Sequence, residues 1–156
     1  MANAPTPEQE ATAFELRFEY ANENRQATIN LGGTGVAILT FLLVFLYGRF
    51  DTTGWGAGMF RITLVTVVLS IFFLGVSGSY YYFLIEVLER GRTDASGYLR
   101  TADACFVAGL ALLMLEPALI LLTLQIFDVG AIAVALWAIS LAIIARGRRS
   151  LGSGTL

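Results

Sequence analysis

The sequence predicts an all-α integral membrane protein: a four-helix bundle of transmembrane helices preceded by an amphipathic cytoplasmic helix that continues into the first span. Hydrophobic residues make up 56% of the 156 residues and charged residues only 14%. A soluble domain has about 25% charged residues. The apolar residues lie in four blocks separated by charges, so we expect one membrane domain over residues 1–156.

The N-terminal segment carries a helix start. Thr6 can cap a helix, and Pro7 suits the first helical position because its missing N–H is unpaired there in any case. No helix-breaking residue follows before Gly32 and Gly33. We therefore expect a helix over 7–30 that lies in the cytoplasm or at the membrane interface and runs on into the first span.

Four segments are candidates for membrane spans, since about 20 apolar residues cross the hydrocarbon core. Only Asp128, Val129 and Gly130 are available to turn between the last two, which predicts a tight antiparallel hairpin. Residues 147–156 are expected to form a flexible tail. The predicted spans are 31–48, 62–85, 104–127 and 129–145.

The basic residues set the expected orientation. All ten are arginine, which suggests an Arg-biased, prokaryotic genome. If both termini are cytoplasmic, eight arginines lie inside and only Arg49 and Arg61 outside, in agreement with the positive-inside rule. We therefore expect a multi-pass protein of the cytoplasmic (inner) membrane with both ends inside.

A line of polar residues follows one side of the N-terminal helix. At 100° per residue, Glu15, Glu19, Gln26, Asn30 and Gly33 fall within about 60° of one another. In a ring of subunits such a line can face an axial path that attracts cations, so these five are the candidate pore-lining residues. The alternative is an ordinary solvated face, but Gln26 and Asn30 enter at membrane depth.

Glu116 and Pro117 stand in the middle of the third predicted span. A carboxylate at the bilayer centre costs on the order of 2.5–3.5 kcal/mol, so Glu116 must face protein or water or be protonated. Proline removes a backbone donor and weakens the helix one turn earlier. The pair predicts an ion or proton site, or a gating kink. The alternative is a neutral Glu116 that is hydrogen-bonded to Thr66, Ser70 or Thr40.

Small residues form a seam on the last predicted span. Small side chains let helix backbones approach closely in lipid, so we expect this seam to pack helices within one subunit or between subunits. The seam consists of Ala131, Ala135, Ala138 and Ala142.

Tyr80, Tyr81 and Tyr82 follow Gly78 and Ser79 near the end of the second predicted span. The string is reminiscent of an ion-selectivity filter, but it lies inside a continuous apolar segment. Tyrosine is enriched at membrane–water interfaces, so we expect all three in the aromatic belt on the inner side.

Several chemistries are excluded by composition. The chain has no histidine and a single cysteine, Cys105, which rules out His-ligated haem, the usual His-containing zinc and copper sites, and an intramolecular disulfide. No nucleophile–base pair and no metal-ligand set can be assembled, so we expect neither an enzyme nor a bound cofactor or metal. The net charge of −2 gives no reason to expect nucleic acid.

Three functions fit these features. The first is a subunit of a homo-oligomeric, cation-conducting channel, since four short spans do not enclose a water path alone. The second is a non-catalytic accessory or assembly subunit of a larger membrane complex. The third is a small proton- or cation-coupled transporter in which Glu116 is the coupling carboxylate. In each case the lipid bilayer is the surrounding partner.

Overall fold

The computed structural model describes the backbone of residues 7–49, 54–90 and 96–152, and the side chains of 12–48, 54–90 and 96–143. Within these ranges the chain is all-helical, with four α-helices and no strand. The helices are α1 (Pro7–Phe41), α2 (Trp55–Glu89), α3 (Ser96–Thr123) and α4 (Phe127–Gly152). The all-α prediction is confirmed for this part of the chain.

Three helices are long and apolar enough to cross a membrane, namely α1 with the turn that follows it, α2 and α3. The described apolar part of α4, Phe127–Ile143, is shorter than these three. Length and composition therefore support a membrane protein with three candidate spans in the described residues.

The first helix starts at Pro7, where the capping pattern predicts it, and passes through Gly32 and Gly33 without a break. Each glycine costs a helix interior only about 1 kcal/mol relative to alanine, which is too little to end a long helix. Beyond Phe41 the helical run widens into a π turn at Leu42–Leu46 and tightens into a 3-10 turn at Tyr47–Arg49. The helix predicted over 7–30 and the first predicted span thus form one helical run.

Burial along α1 and into the π turn that follows it lies on a single line. Ala21, Thr28, Gly35 and Leu42 are buried, and they recur every seven residues, which is close to two helical turns. The residues between them are mostly exposed, and only 11% of the most apolar window of α1 is buried within the chain. One narrow face of α1 therefore packs on this chain, and the rest is free to meet lipid or other molecules.

Buried positions on α2 alternate in steps of three and four, the spacing of a helix that packs along a seam. The positions with this spacing are Phe60, Thr63, Val67, Ser70, Leu74, Ser77, Tyr81, Leu84 and Leu88, and Thr66 beside them is also buried. One line of this seam carries the hydroxyl residues Thr63, Ser70 and Ser77, and the other is apolar except for Tyr81. The polar contacts described below form along these positions.

The turn between α3 and α4 lies at 124–126, not at Asp128–Gly130 as the sequence analysis predicts. Consequently the third predicted span, 104–127, ends too late, since α3 stops at Thr123. Asp128 instead occupies the first turn of α4, where a carboxylate is favoured by the positive end of the helix dipole.

A pair of backbone hydrogen bonds closes the end of α3. The N–H of Gln125 donates to the Leu122 carbonyl at 3.1 Å, and the N–H of Ile126 donates to the Leu121 carbonyl at 3.0 Å. Gln125 adopts φ 62°, the left-handed conformation that this helix-ending motif requires. Glycine usually holds this position. Because Gln125 stands there instead, the sequence does not mark the end of α3, and the predicted turn lies too late.

The last helix is longer than predicted. α4 continues past Gly147, where the flexible tail was expected to begin, to Gly152. A single glycine costs a helix about 1 kcal/mol, and alanine and arginine around it are strong helix formers. Residues 153–156 of the predicted tail, and the side chains of Arg146, Arg148 and Arg149, lie outside the described residues.

The chain divides into two compact units. The first comprises Met1–Thr34 and Ile71–Gly109, and the second comprises Gly35–Ser70 and Leu110–Leu156. The first unit contains a buried apolar cluster of Ala21, Tyr81, Leu84, Leu88 and Ala102. Polar side chains on α2 also contact polar side chains on α3 in both units.

Candidate functional site

In the second unit, Glu116 on α3 is completely buried. The buried Ser70 hydroxyl on α2 donates to Oε1 of Glu116 at 2.7 Å. Of the three partners considered from sequence, Ser70 is therefore the one that Glu116 meets. Thr66 and Thr40 instead donate to carbonyls of their own helices, at Ile62 and Val36, each at 2.9 Å.

The hydrogen atoms at this pair can be counted. Ser70 Oγ also lies 2.9 Å from the Val67 carbonyl oxygen, yet a serine hydroxyl has one hydrogen to donate. Val67 lies inside α2, so its carbonyl already accepts the helical N–H of Ile71. The Ser70 hydrogen is therefore free to bind Oε1 of Glu116 without leaving another acceptor unpaired.

The other oxygen of Glu116, Oε2, is buried and has no hydrogen-bond partner among the described residues. Leaving a buried acceptor unpaired costs about 1–3 kcal/mol, and more when the group is charged. Buried polar atoms are seldom left unsatisfied, and those that are often mark a functional position. Oε2 is accordingly the atom that can accept a proton, a cation or a water molecule.

Pro117 follows Glu116 and is exposed. Because proline has no N–H, the carbonyl of Leu113 lacks its usual helical donor. The structure nevertheless keeps α3 helical across this point, from Ser96 to Thr123. The helix carries Glu116 on its buried side and a locally weakened backbone beside it.

A second polar contact lies two helical turns away in the same unit. The hydroxyls of Thr63 and Thr123 are 3.1 Å apart, and both residues are buried. Thr63 is seven residues before Ser70, and Thr123 is seven residues after Glu116, so both pairs follow one seam between α2 and α3. Sequence analysis missed this pair, although the spacing of hydroxyl residues on α2 is a readable signal.

The five candidate pore-lining residues all lie in the first unit and are all exposed. We call Glu15, Glu19, Gln26, Asn30 and Gly33 the polar line. At 100° per residue it lies on the opposite side of α1 from the buried Ala21 and Thr28. The polar line therefore faces away from the chain itself.

The first unit also contains a polar cluster that sequence analysis missed. Oδ1 of Asp103 accepts hydrogen bonds from the hydroxyls of Tyr81, at 2.6 Å, and Tyr20, at 3.1 Å. Tyr81 is fully buried, so the prediction that places it in an interfacial belt with Tyr80 and Tyr82 is wrong for this residue. A tyrosine is buried readily when a carboxylate accepts its hydroxyl hydrogen.

The alanine seam on α4 is exposed in the single chain, at Ala131, Ala135, Ala138 and Ala142 alike. The four alanines therefore do not pack helices within this chain. Packing between subunits stays a prediction. In that role their small side chains would let a neighbouring helix approach closely.

No group of three or more acidic or cysteine side chains that could hold a metal ion occurs within the described residues. Comparison of the chain with protein-family models, with curated proteins and with solved structures finds no match. Function is therefore inferred from the polar line and from Glu116.

Proposed function

We propose that the chain is a subunit of a homo-oligomeric membrane channel that conducts cations, with the polar line of α1 along its path. The supporting observation is that Gln26 and Asn30 are exposed on a candidate span, on the side that faces away from the chain. In hydrocarbon, an unpaired amide costs several kcal/mol. Water or a neighbouring subunit at the polar line removes that cost.

The charges fit such a path. Glu15 and Glu19 lie nearer the N-terminus of α1 and would form rings of carboxylates at its mouth, where they raise the local concentration of cations. Asn30 and Gly33 lie deeper and carry no charge. Among the described residues, Glu15 and Glu19 form no ion pair that would neutralise them.

The same proposal includes α4 as a fourth span and both termini in the cytoplasm, in the inner membrane. In support, the arginine distribution favours this orientation. The helix α4 also continues beyond Phe127–Ile143 to Gly152, which lengthens its apolar part by Ile144 and Ala145. Four crossings would form the predicted bundle.

A second function is favoured by one observation. A proton-coupled transporter needs a carboxyl group that can gain and lose a proton inside the membrane, and Glu116 has a buried, unpaired oxygen. In this case Glu116→Gln would abolish the dependence of transport on pH while leaving the protein folded.

The test of the channel uses thiol chemistry in a Cys105→Ala background. Asn30→Cys places a thiol on the polar line, whereas Ile29→Cys places one about 100° away on an exposed apolar position. In liposomes we expect a charged thiol reagent to block cation flux through Asn30→Cys by at least about tenfold and to leave Ile29→Cys unchanged.

Equal block at both positions contradicts a path along the polar line. Absence of any flux, together with copurification of a specific unrelated protein, supports the accessory subunit instead and overturns the channel.

A further inference from the structure

A pocket of about 430 Å³ opens in the first unit between α1 and the end of α2. Its position along α2 sets its depth in the membrane. Residues 62–85 of α2 carry no charge, and Glu86 is the first charged residue after them. The pocket thus lies where the apolar core of the bilayer gives way to headgroups. Its lining is Arg25, Tyr82, Ile85, Glu86, Glu89 and Arg90.

The charges of the pocket balance. Arg90 forms an ion pair with Glu86. Arg25 and Glu89 have no ion pair and no side-chain hydrogen bond among the described residues. The lining thus offers one cationic and one anionic group without an ion-pair partner among the described residues, with a compact ion pair beside them. A simple anion or a simple cation would leave one of these charges unmatched, whereas a zwitterion matches both.

Arg25 also occupies the aromatic surface of the pocket. Its guanidinium carbon lies 5.3 Å from the centre of the Tyr82 ring, within cation–π range. A quaternary ammonium such as choline binds by stacking on an aromatic face, and here that face is already covered. A primary ammonium binds differently, because it donates hydrogen bonds directly to carboxylates.

We propose that this pocket binds the phosphoethanolamine headgroup of a phospholipid. The guanidinium of Arg25 holds the phosphate, with Arg90 in support, because arginine matches phosphate oxygens with two parallel hydrogen bonds. The carboxylates of Glu89 and Glu86 receive the ammonium group. The acyl chains extend along the apolar surface of α2. This inference is independent of whether the protein conducts ions.

The test measures lipid retention by the full chain in mild detergent. The protein is stripped of lipid and mixed with equal amounts of phosphatidylethanolamine, phosphatidylcholine and phosphatidylglycerol that share the same acyl chains. Native mass spectrometry then counts the bound lipids. We expect phosphatidylethanolamine to be retained over each of the others by roughly tenfold, the effect of one charge-assisted hydrogen bond.

Two variants locate the site. Arg25→Gln should remove the preference, whereas Arg100→Gln, which makes the same charge change on an exposed arginine outside the pocket, should preserve it. Glu89→Gln should weaken the retention of phosphatidylethanolamine and leave the retention of phosphatidylglycerol unchanged or stronger. Because Glu89 is exposed and unpaired among the described residues, this variant is expected to fold even if Arg25→Gln does not.

Three results overturn the proposal. The first is equal retention of the three lipids, and the second is an equal effect of Arg25→Gln and Arg100→Gln. The third is displacement of the lipid by an equal concentration of free glycerophosphoethanolamine, which would assign the pocket to soluble phosphate esters instead.

Discussion

At the scale of single residues, the buried carboxyl group of Glu116 accepts a hydrogen bond from the Ser70 hydroxyl. A carboxyl group within an apolar segment predicts a partner or a proton, and hydroxyl residues on neighbouring helices supply the candidates. Choosing among them needs the rotation of each helix. Among the described residues the Ser70 hydroxyl reaches Glu116, whereas the hydroxyls of Thr66 and Thr40 bond only carbonyls of their own helices. The sequence does not contain that rotation.

The pair Ser70–Glu116 makes a prediction about stability. Ser70→Ala removes the one hydrogen-bond partner that Glu116 has among the described residues, so we expect it to lower the free energy of unfolding by about 1–3 kcal/mol. In a Glu116→Leu background the same change should cost much less, because the buried carboxyl group is gone. Unfolding of all four proteins in detergent measures the coupling.

Thr66→Ala provides the control for that cycle. Its hydroxyl donates to the Ile62 carbonyl and forms no hydrogen bond with Glu116, so its effect should be the same with Glu116 or leucine at position 116. If Ser70→Ala also costs the same free energy of unfolding with glutamate and with leucine at position 116, the hydrogen bond between Ser70 and Glu116 does not stabilise the protein.

At the scale of the elements, periodicity was more informative than composition. Of the buried seam on α2, the sequence shows only the seven-residue repeat of Thr63, Ser70 and Ser77, because the segment is apolar on its other sides. Treating the segment as uniformly apolar hid this seam, and with it the contact of Tyr81 with Asp103. The end of α3 was harder to predict, since glutamine is an uncommon residue at a left-handed helix end.

Close packing of α2 and α3 in the first unit rests on Gly109. A Cβ atom at this position would lie 2.8 Å from Leu74 Cγ and 3.1 Å from the Leu74 backbone nitrogen. We expect Gly109→Ala to destabilise the protein by about 1–3 kcal/mol, as overpacking does. Thermal unfolding in detergent is the measurement.

The matched control is Gly75→Ala, because a Cβ atom there meets nothing within 4 Å. This change should be neutral or stabilising by up to about 1 kcal/mol, since alanine favours helix over glycine. Equal destabilisation by the two substitutions contradicts the close approach at Gly109.

The turn at Gln125 gives a prediction of opposite sign. A non-glycine residue in the left-handed conformation costs roughly 1–2 kcal/mol, so Gln125→Gly should stabilise the protein by about 1 kcal/mol and Gln125→Val should destabilise it. The midpoints of thermal unfolding should rank glycine, glutamine, valine. A lower midpoint for Gln125→Gly than for the natural residue would falsify this account of the turn.

For the whole molecule, the apolar blocks predict membrane helices, and three of them are long enough in the described residues. Assembly depends on what covers the exposed surfaces, and the sequence of one chain does not identify that neighbour. The exposed polar line, the exposed alanine seam and the sparse burial of α1 all leave surface that lipid or further copies must cover. The exposed surfaces of α1 and α4 nevertheless differ: amides in hydrocarbon are costly, whereas alanines are not.

We propose that copies of this chain assemble with the polar line of α1 around a shared path. The stoichiometry of the intact complex, measured by native mass spectrometry after extraction in mild detergent, tests this assembly. We expect one homo-oligomer of more than two copies, because two helices do not enclose a path. A monomer, a dimer, or a fixed complex with an unrelated polypeptide would rule it out.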